Sequence, residues 1–256
     1  MLHMQLIFQP LLRRLALAAL GAGLAASAPA VAGERTVPVV VELFTSQGCD
    51  TCPPADVYLG ELKKRSDIVA LSMHVDYWDY IGWKDPYAQH AFTMRQRQYS
   101  TALSQRYVYT PQMVINGRLQ GIGSERPEME KLIVQAKKQH EAEAANLPTI
   151  KLVGHDVHIG PGPAVPATVW IAIFDPQVHT AVERGENAGR DLVEHNVVRE
   201  WTKLGTYDGD PVTLKLDVDM DEYEKSGCAI FVQRQTATGP GAILAAYAID
   251  PPLRGK

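Results

Sequence analysis

"FTSQGCDTCPPAD", residues Phe44 to Asp56, sets two cysteines three positions apart, follows the second with two prolines and trails an apolar run. Upstream, Val37 to Thr45 (VPVVVELFT) is nearly continuous, β-branched and apolar, the pattern of a strand buried on both faces of a sheet. Downstream, Ala55 to Arg65 carries Val57, Leu59 and Leu62 at helical spacing, and Ile68 to Val75 (IVALSMHV) reads as a second buried strand. Pro53 and Pro54 have no amide to donate, so the helix is expected to begin at Cys52 or Pro53, with Cys49 in the loop before it. The cysteine pair therefore belongs to the turn between strand and helix of a β-α-β unit.

The same alternation continues outward. Asp85-Pro86 has the order of an N-cap residue and a first-turn proline, and Ala88, Ala91, Phe92, Tyr99, Ala102 and Leu103 fall mostly on one side of the helix predicted after it. Gln112 to Ile115 and Arg118 to Ile122 flank Asn116-Gly117, a dipeptide that accepts the positive backbone angles of a tight hairpin. Ser124 is positioned to cap a last helix, Glu125 to about Ala145, whose early glutamates and late lysines suit its dipole. The order is β-α-β-α-β-β-α, with a C-x-x-C directly after the first strand and Thr110-Pro111 directly before the hairpin. That is the minimal order of an α/β thioredoxin-like domain with a central mixed sheet, expected over residues 33–147.

Beyond Leu147-Pro148 short apolar segments alternate with Gly, Pro and Asp, from Thr149–Val153 through Ala167–Phe174, Val178–Val182 and Asn196–Leu204 to Ile243–Ile249. Such spacing predicts an all-β sandwich domain over residues 148–256. Cys228 opens one of these strands and reads as a buried, unpaired small hydrophobe.

The N-terminus carries an address. Arg13 and Arg14 precede an alanine-rich apolar stretch, and Ala30-Val31-Ala32 offers an A-x-A cleavage site, so residues 1–32 are expected to be a secretory signal peptide. Its cleavage leaves 224 of the 256 residues and, with Arg13 and Arg14 gone, moves the formal charge from −4 to −6. A periplasmic or secreted protein with no membrane span after cleavage is expected. Acidic and basic residues are mixed along the chain, which gives no basic footprint for nucleic acid. Three cysteines are too few for a disulfide-scaffolded domain, so the pair needs its own reason.

"ELFTSQGCDTCPPAD" at Glu42 to Asp56, "HVDYWDYIGWKDP" at His74 to Pro86, "YTPQMVINGR" at Tyr109 to Arg118 and "RGENAGRDLVEHNVVREW" at Arg184 to Trp201 resemble the DUF1223 family of secreted bacterial proteins. The resemblance spans nearly the whole mature chain. It implies a thioredoxin-like domain and no particular reaction.

Chemistry is read from the residues. In a redox reading Cys49 attacks a partner's sulfur and Cys52 resolves the mixed disulfide. Thr110 and Pro111, with the peptide bond between them expected to be cis, and Trp78 with Trp83 would receive an extended substrate segment, and His74 and Asp76 would carry protons near the sulfurs. The competing reading of these last residues has the aromatics packing the long helix and His74 bonded within the fold. Two departures weaken the analogy with thioredoxins: Gly48 stands where they carry tryptophan, and Asp50-Thr51 replace Gly-Pro. Two further readings of the pair stay open. One is a structural disulfide in a non-enzymatic binding protein. The other is a copper-binding site of Cys49, Cys52 and a histidine, His74 or His90, resembling the Sco-type delivery proteins, whose cysteines lie one residue further apart. Glu186, His195 and Arg199 are candidates for a second-domain cleft, with turn chemistry as the alternative. The expectation is a thiol-disulfide oxidoreductase acting on exported protein or small thiols, without a cofactor or resident metal.

Overall fold

The computed structural model describes residues 38–216 and 225–249. The expected signal peptide lies outside the described residues. The first half follows the expected order: β1 (Val39–Thr45), α1 (Pro53–Leu62), β2 (Ile68–His74), α2 (His90–Ala102), β3 (Gln112–Ile115), β4 (Leu119–Ile122) and α3 (Arg126–Glu143). Strand β1 is the centre of this half. It runs parallel to β2 and antiparallel to β3, which pairs in turn with β4. Its side chains alternate between two cores. Val39, Val41 and Leu43 pack with Ala55, Tyr58, Leu59 and Leu62 of α1 and Met129, Ile133 and Ala136 of α3, while Val40 and Phe44 point to Phe92 and Tyr99 of α2. The period of two in the strand and the i, i+3, i+4, i+7 spacing in α1 thus put helices on both faces.

Asn116 and Gly117 form the hairpin turn with φ of 49° and 64°, and the Thr110–Pro111 peptide bond is cis, both as expected. Two helix starts differ. Helix α2 begins at His90, after Gln89, not at Asp85-Pro86: the Asp85 carboxylate accepts the backbone N–H of Tyr87 at 2.9 Å and that of Gln47 at 2.9 Å, but Asp85 to Ala88 closes a single turn that the helix does not continue. Helix α3 begins at Arg126, with Glu125 rather than Ser124 at the cap position.

The second half comprises β5 (Ile150–Val153), β6 (Asp156–Ile159), β7 (Ala167–Ala181), β8 (Asp191–Tyr207), β9 (Val212–Lys215), β10 (Gly227–Thr236) and β11 (Gly239–Ile249). The expected pair Ala167–Phe174 and Val178–Val182 fuses into one strand, β7, across Asp175-Pro176. Pro176 cannot donate to a ladder. The β7–β8 register accordingly passes from Asp175↔Val197 to Gln177↔His195, and Asn196, at the skipped position, has φ of 48°.

The boundary expected at residues 147 and 148 does not separate two bodies. Strand β8 lies beside β2 in parallel, Ser72 opposite Val197, and one eight-stranded sheet runs β11-β10-β7-β8-β2-β1-β3-β4. The side-chain amide of Asn196 donates to the Ala70 carbonyl at 2.9 Å across this seam. The physical reason is the free edge of β2: its unpaired amides and carbonyls need a partner, and β8 supplies one. The core is shared as well, since Phe92 and Tyr99 of α2 cluster with Phe174, Val198, Phe231 and Ile243. Most of the predicted sandwich is therefore an extension of the central mixed sheet. Among the described residues β5, β6 and β9 form a separate three-stranded layer, whose Val157 and Ile159 pack on Ile171, Ile173, Ile230 and Leu244. Cys228, on β10, is free and buried against that layer, as expected, and burial pushes its thiol up to about 11.

A buried ionic network ties the halves. Arg95 of α2 donates to Glu42 of β1 at 2.6 Å and to Gln233 of β10 at 3.0 Å, and its guanidinium lies 4.0 Å from the Trp201 ring of β8. Among the described residues no helix is long and apolar enough to cross a membrane.

Candidate functional site

Cys49 and Cys52 form a disulfide in the connection between β1 and α1. Cys52 occupies the N-cap position, with Pro53 and Pro54 as the first helical residues, so the missing proline amides fall where a helix has no intrahelical use for them. Cys49 precedes the helix in a turn closed by its own N–H to Ser46 and by the Cys52 N–H to the Cys49 carbonyl. Asp50 and Thr51 are exposed, but both cysteines are fully buried. An attacking Cys49 has to be more accessible than a resolving Cys52, and here neither side chain is exposed.

The covering comes from the second half. At the tip of the β7–β8 hairpin, Asn187 is 0% exposed and donates its amide to the carbonyls of Gln47 at 2.8 Å and Cys49 at 2.9 Å. Arg190 holds the Asn187 side-chain oxygen at 2.8 Å. Gly185, with φ of 78°, brings the same tip against Trp83, where an added Cβ would lie 3.1 Å from the Trp83 Cβ.

Trp78 connects the cysteine loop to the Thr110-Pro111 segment. Its indole N–H donates to Thr110 Oγ1 at 2.7 Å, and a Cβ added at Gly48 would meet the Trp78 Cβ at 3.0 Å. The small Gly48 makes room for Trp78, which comes from the segment after β2. Trp83 donates its indole N–H to the side-chain oxygen of Gln47 at 3.0 Å.

Beneath the loop lies a buried polar cluster. His74, at the end of β2, meets Asp85 through Nδ1 at 2.7 Å and faces Glu194 of β8 through Nε2 at 3.8 Å. Gln47 donates from Nε2 to Glu194 Oε2 at 2.7 Å and to Thr180 Oγ1 at 3.0 Å. Asp56, on the first turn of α1, belongs to the same electrostatic group, feeling Glu194, His74 and Asp85. Burial alone would lower the His74 imidazole, but the Asp85 and Glu194 carboxylates override it and lift it to about 9. Burial would raise Asp85, but the His74 imidazolium and the N–H groups of Gln47 and Tyr87 hold it below its ordinary value. Asp56 is pushed up to about 8, by burial first and then by Glu194, and Glu194 is likewise raised by burial.

The remaining candidates go elsewhere. Asp76 accepts from Thr93 Oγ1 and lies 3.0 Å from His90 Nδ1, which places it at the start of α2 rather than in the His74 cluster. His74 and His90, the two histidines considered as copper ligands, are therefore both engaged with carboxylates. Among the described residues no group of three or more His, Cys, Asp and Glu is disposed to hold a metal. Glu186 is exposed, His195 lies against Gly60 of α1, and Arg199 stacks on Tyr87 at 4.9 Å beside Asp175, so these three do not converge. From the motif that contains them, the site instead draws Asn187 and Glu194. Gln47, Asp56, Asp85, Asn187 and Glu194 were missed as site residues; the available signal was a polar residue embedded in an otherwise apolar or turn pattern.

Comparison with known proteins gives several likenesses. The family described as protein of unknown function (DUF1223) matches residues 40–233. The crystal structure of protein AGR_C_4864 from Agrobacterium tumefaciens superimposes with a TM-score of 0.73 at 34% identity, covering 86% of this chain and 97% of that one. HBP35 of Porphyromonas gingivalis shares the fold at a TM-score of 0.53 and 10% identity, over 86% of this chain and 79% of that one. No curated protein matches the sequence.

Proposed function

The chain belongs to the DUF1223 family, whose description assigns no activity, and from the site itself we propose that it is an exported thiol-disulfide oxidoreductase whose exchanging pair is Cys49–Cys52. The observation that carries this reading is the disulfide at the N-cap of α1, bridged by Trp78 to the Thr110-Pro111 segment and set above ionisable groups. Strand order β2-β1-β3-β4, with α1 and α3 packed in one core and α2 in the other, supports a thioredoxin-like unit for this half.

The reaction takes a partner carrying two thiols. One partner thiolate attacks the sulfur of Cys49, the S–S bond breaks and its electron pair leaves on Cys52 at the helix N-terminus, where the positive end of the helix dipole favours the anion. The second partner thiolate attacks its own sulfur in the mixed disulfide and releases Cys49. The partner is oxidised by two electrons and the pair is reduced by two; the reverse sequence oxidises a partner. Trp78, Thr110 and Pro111 form the wall that an incoming segment meets. The Asn187 tip must move for that approach, because it covers the loop that holds the sulfurs.

The complete burial of both sulfurs favours a second reading, a binding protein whose disulfide is an inert staple. Trapping separates them. Cys52→Ser in the exported protein accumulates mixed disulfides through Cys49 if the pair exchanges, and Cys49→Ser accumulates few. No adduct with either variant supports the staple.

A further inference from the structure

A disulfide that exchanges has to be uncovered, and the element covering this one is the outer arm of the β7–β8 ribbon. Resting on the disulfide-exchange reading, we propose that this arm, residues 177–195, is a strap hinged at Pro176 and Asn196, which the oxidised Cys49–Cys52 pair holds closed and which reduction of the pair releases.

The hinge shows in both strands. Pro176 has no amide for the ladder, the register steps from Asp175↔Val197 to Gln177↔His195, and Asn196 at the skipped position has a φ of 48°. Residues other than glycine seldom adopt that angle. The level is pinned from below: Asn196 donates its side-chain amide to the Ala70 carbonyl at 2.9 Å, and Lys63 at the end of α1 donates to the Pro176 carbonyl at 2.8 Å. Irregular positions of this kind, set side by side and anchored, absorb the backbone rotation of a swinging element.

Apolar packing divides at the same level. On one side of the hinge Phe174 and Val198 belong to the core around α2. On the other, Val178, Val182 and Leu192 are buried, yet among the described residues none of them joins the three apolar cores. An element that stands outside the cores opens at a lower cost than one built into them. Hydrogen bonds from the arm to the first half converge instead on the disulfide loop. Gln47 Nε2 donates to Thr180 Oγ1 at 3.0 Å and to Glu194 Oε2 at 2.7 Å, and Asn187 donates to the carbonyls of Gln47 at 2.8 Å and Cys49 at 2.9 Å. The latch and the redox pair are therefore one short stretch of chain.

Reduction changes what the closed arm has to cover. A dithiol reductant passes two electrons and two protons to the pair and itself closes to a disulfide, leaving thiols at Cys49 and Cys52 where one uncharged bond had been. With the arm closed both cysteines are 0% exposed, and the titratable groups beneath the loop are mostly acidic: Asp56 on α1, Asp85 before α2 and Glu194 on the arm, against His74 on β2. A thiol that ionises there becomes a buried anion among carboxyl groups, at a cost of several kcal/mol until water reaches it. Lifting the arm admits water and takes Glu194 away. The disulfide thus favours the closed arm and the thiols the open one, and linkage makes the effect reciprocal: whatever lifts the arm makes the pair easier to reduce.

Nuclear Overhauser spectra of the full-length protein, oxidised and after reduction with dithiothreitol, test this. Gly60 of α1 is the reporter: a Cβ added there would lie 2.2 Å from His195 Cδ2, so with the arm closed the ring gives strong cross-peaks to the Gly60 Hα protons. The strap predicts that these cross-peaks are present in the oxidised protein and lost on reduction, while those of the register pair Phe174 and Val198, across the hinge from the arm, persist. It also predicts that Thr180→Val, which removes one latch bond and leaves the loop unaltered, speeds reduction of the folded protein about fivefold. Gly60–His195 cross-peaks that persist in the reduced, folded protein, or a Thr180→Val disulfide reduced no faster than the unsubstituted one, would overturn the strap while leaving disulfide exchange intact. A disulfide that dithiothreitol reduces only when the chain unfolds overturns the exchange reading and the strap together.

Discussion

Asn187 donates its side-chain amide to the carbonyl of Cys49 at 2.9 Å, across 138 positions of sequence. The bond makes the tip of a long β-ribbon the roof of a short disulfide loop. Substituting Asn187→Ala removes the side-chain donor from the buried Gln47 carbonyl and leaves the Cys49 carbonyl with the Cys52 N–H alone, at a cost of about 1–3 kcal/mol. The melting temperature is expected to fall by roughly 5 °C or more, and the disulfide in the folded protein to react with dithiothreitol several-fold faster. Unchanged reduction kinetics in this variant would show that the hairpin tip does not control access.

The second prediction concerns unity of the fold. Glu42 is 0% exposed and depends on Arg95, whose other contacts reach Gln233 and Trp201 in the second half. Removing one partner of such a pair costs about 3–5 kcal/mol, because the other charge stays buried alone. Arg95→Ala is therefore expected to lower stability in urea by that amount, and the double variant Arg95→Met, Glu42→Leu by less. Unfolding should remain one cooperative transition, and cleavage near residues 144–149 should not release two stable fragments. Two separate transitions would restore the two-domain description.

These outcomes bear on what the amino-acid pattern reveals. The unit from β1 to α3 was legible because its signals are local: a β-branched run, apolar residues at helical spacing, Asn116-Gly117 at a hairpin. The seam between β2 and β8 was not, since the partner of an edge strand is chosen by tertiary packing and leaves no periodic trace in either strand. Asp175-Pro176 reads as a break, yet β7 runs through it by omitting one ladder position. The cysteine pair was found from its spacing alone. Its surroundings were half found: His74 was singled out, whereas Glu194 became a site residue only through the same unforeseen seam. Asp56 did carry a signal, being a carboxylate four residues after Cys52 on the apolar side of α1.

Stability should fall from neutral to alkaline pH for two reasons of the same sign. His74 is raised from 6.5 to about 9, so its stabilising contribution is full below pH 6.5 and is lost as pH rises toward 9. Asp56 is raised from 3.8 to about 8, so its neutral form is favoured in the fold and the cost of holding it grows as pH rises from 3.8 toward 8. Asp85 is lowered, and its contribution is lost only as pH falls below 3.8. Chemical denaturation at several pH values checks this. Asp56→Asn should decline less steeply between pH 5 and pH 8 than the unsubstituted protein; a parallel decline would contradict the assignment.

A fourth expectation follows from the close approach of α1 to β8. A Cβ built on Gly60 lies 2.2 Å from Cδ2 of His195, so Gly60→Ala overpacks the contact and should cost about 1–3 kcal/mol. His195→Ala in the same chain should recover most of it, a coupling that a double-mutant cycle reads directly. Additive effects would mean that the ring simply swings aside.

The central claim, that Cys49–Cys52 is an exchanging pair, is tested most directly by equilibrating the folded protein with mixtures of reduced and oxidised glutathione and counting thiols by alkylation and mass spectrometry. Reversible conversion of the Cys49–Cys52 disulfide to two alkylated thiols as the mixture becomes more reducing, with near-native circular dichroism throughout, is the predicted result. A disulfide that stays oxidised across every mixture and opens only with loss of the fold would contradict it and leave the pair a staple.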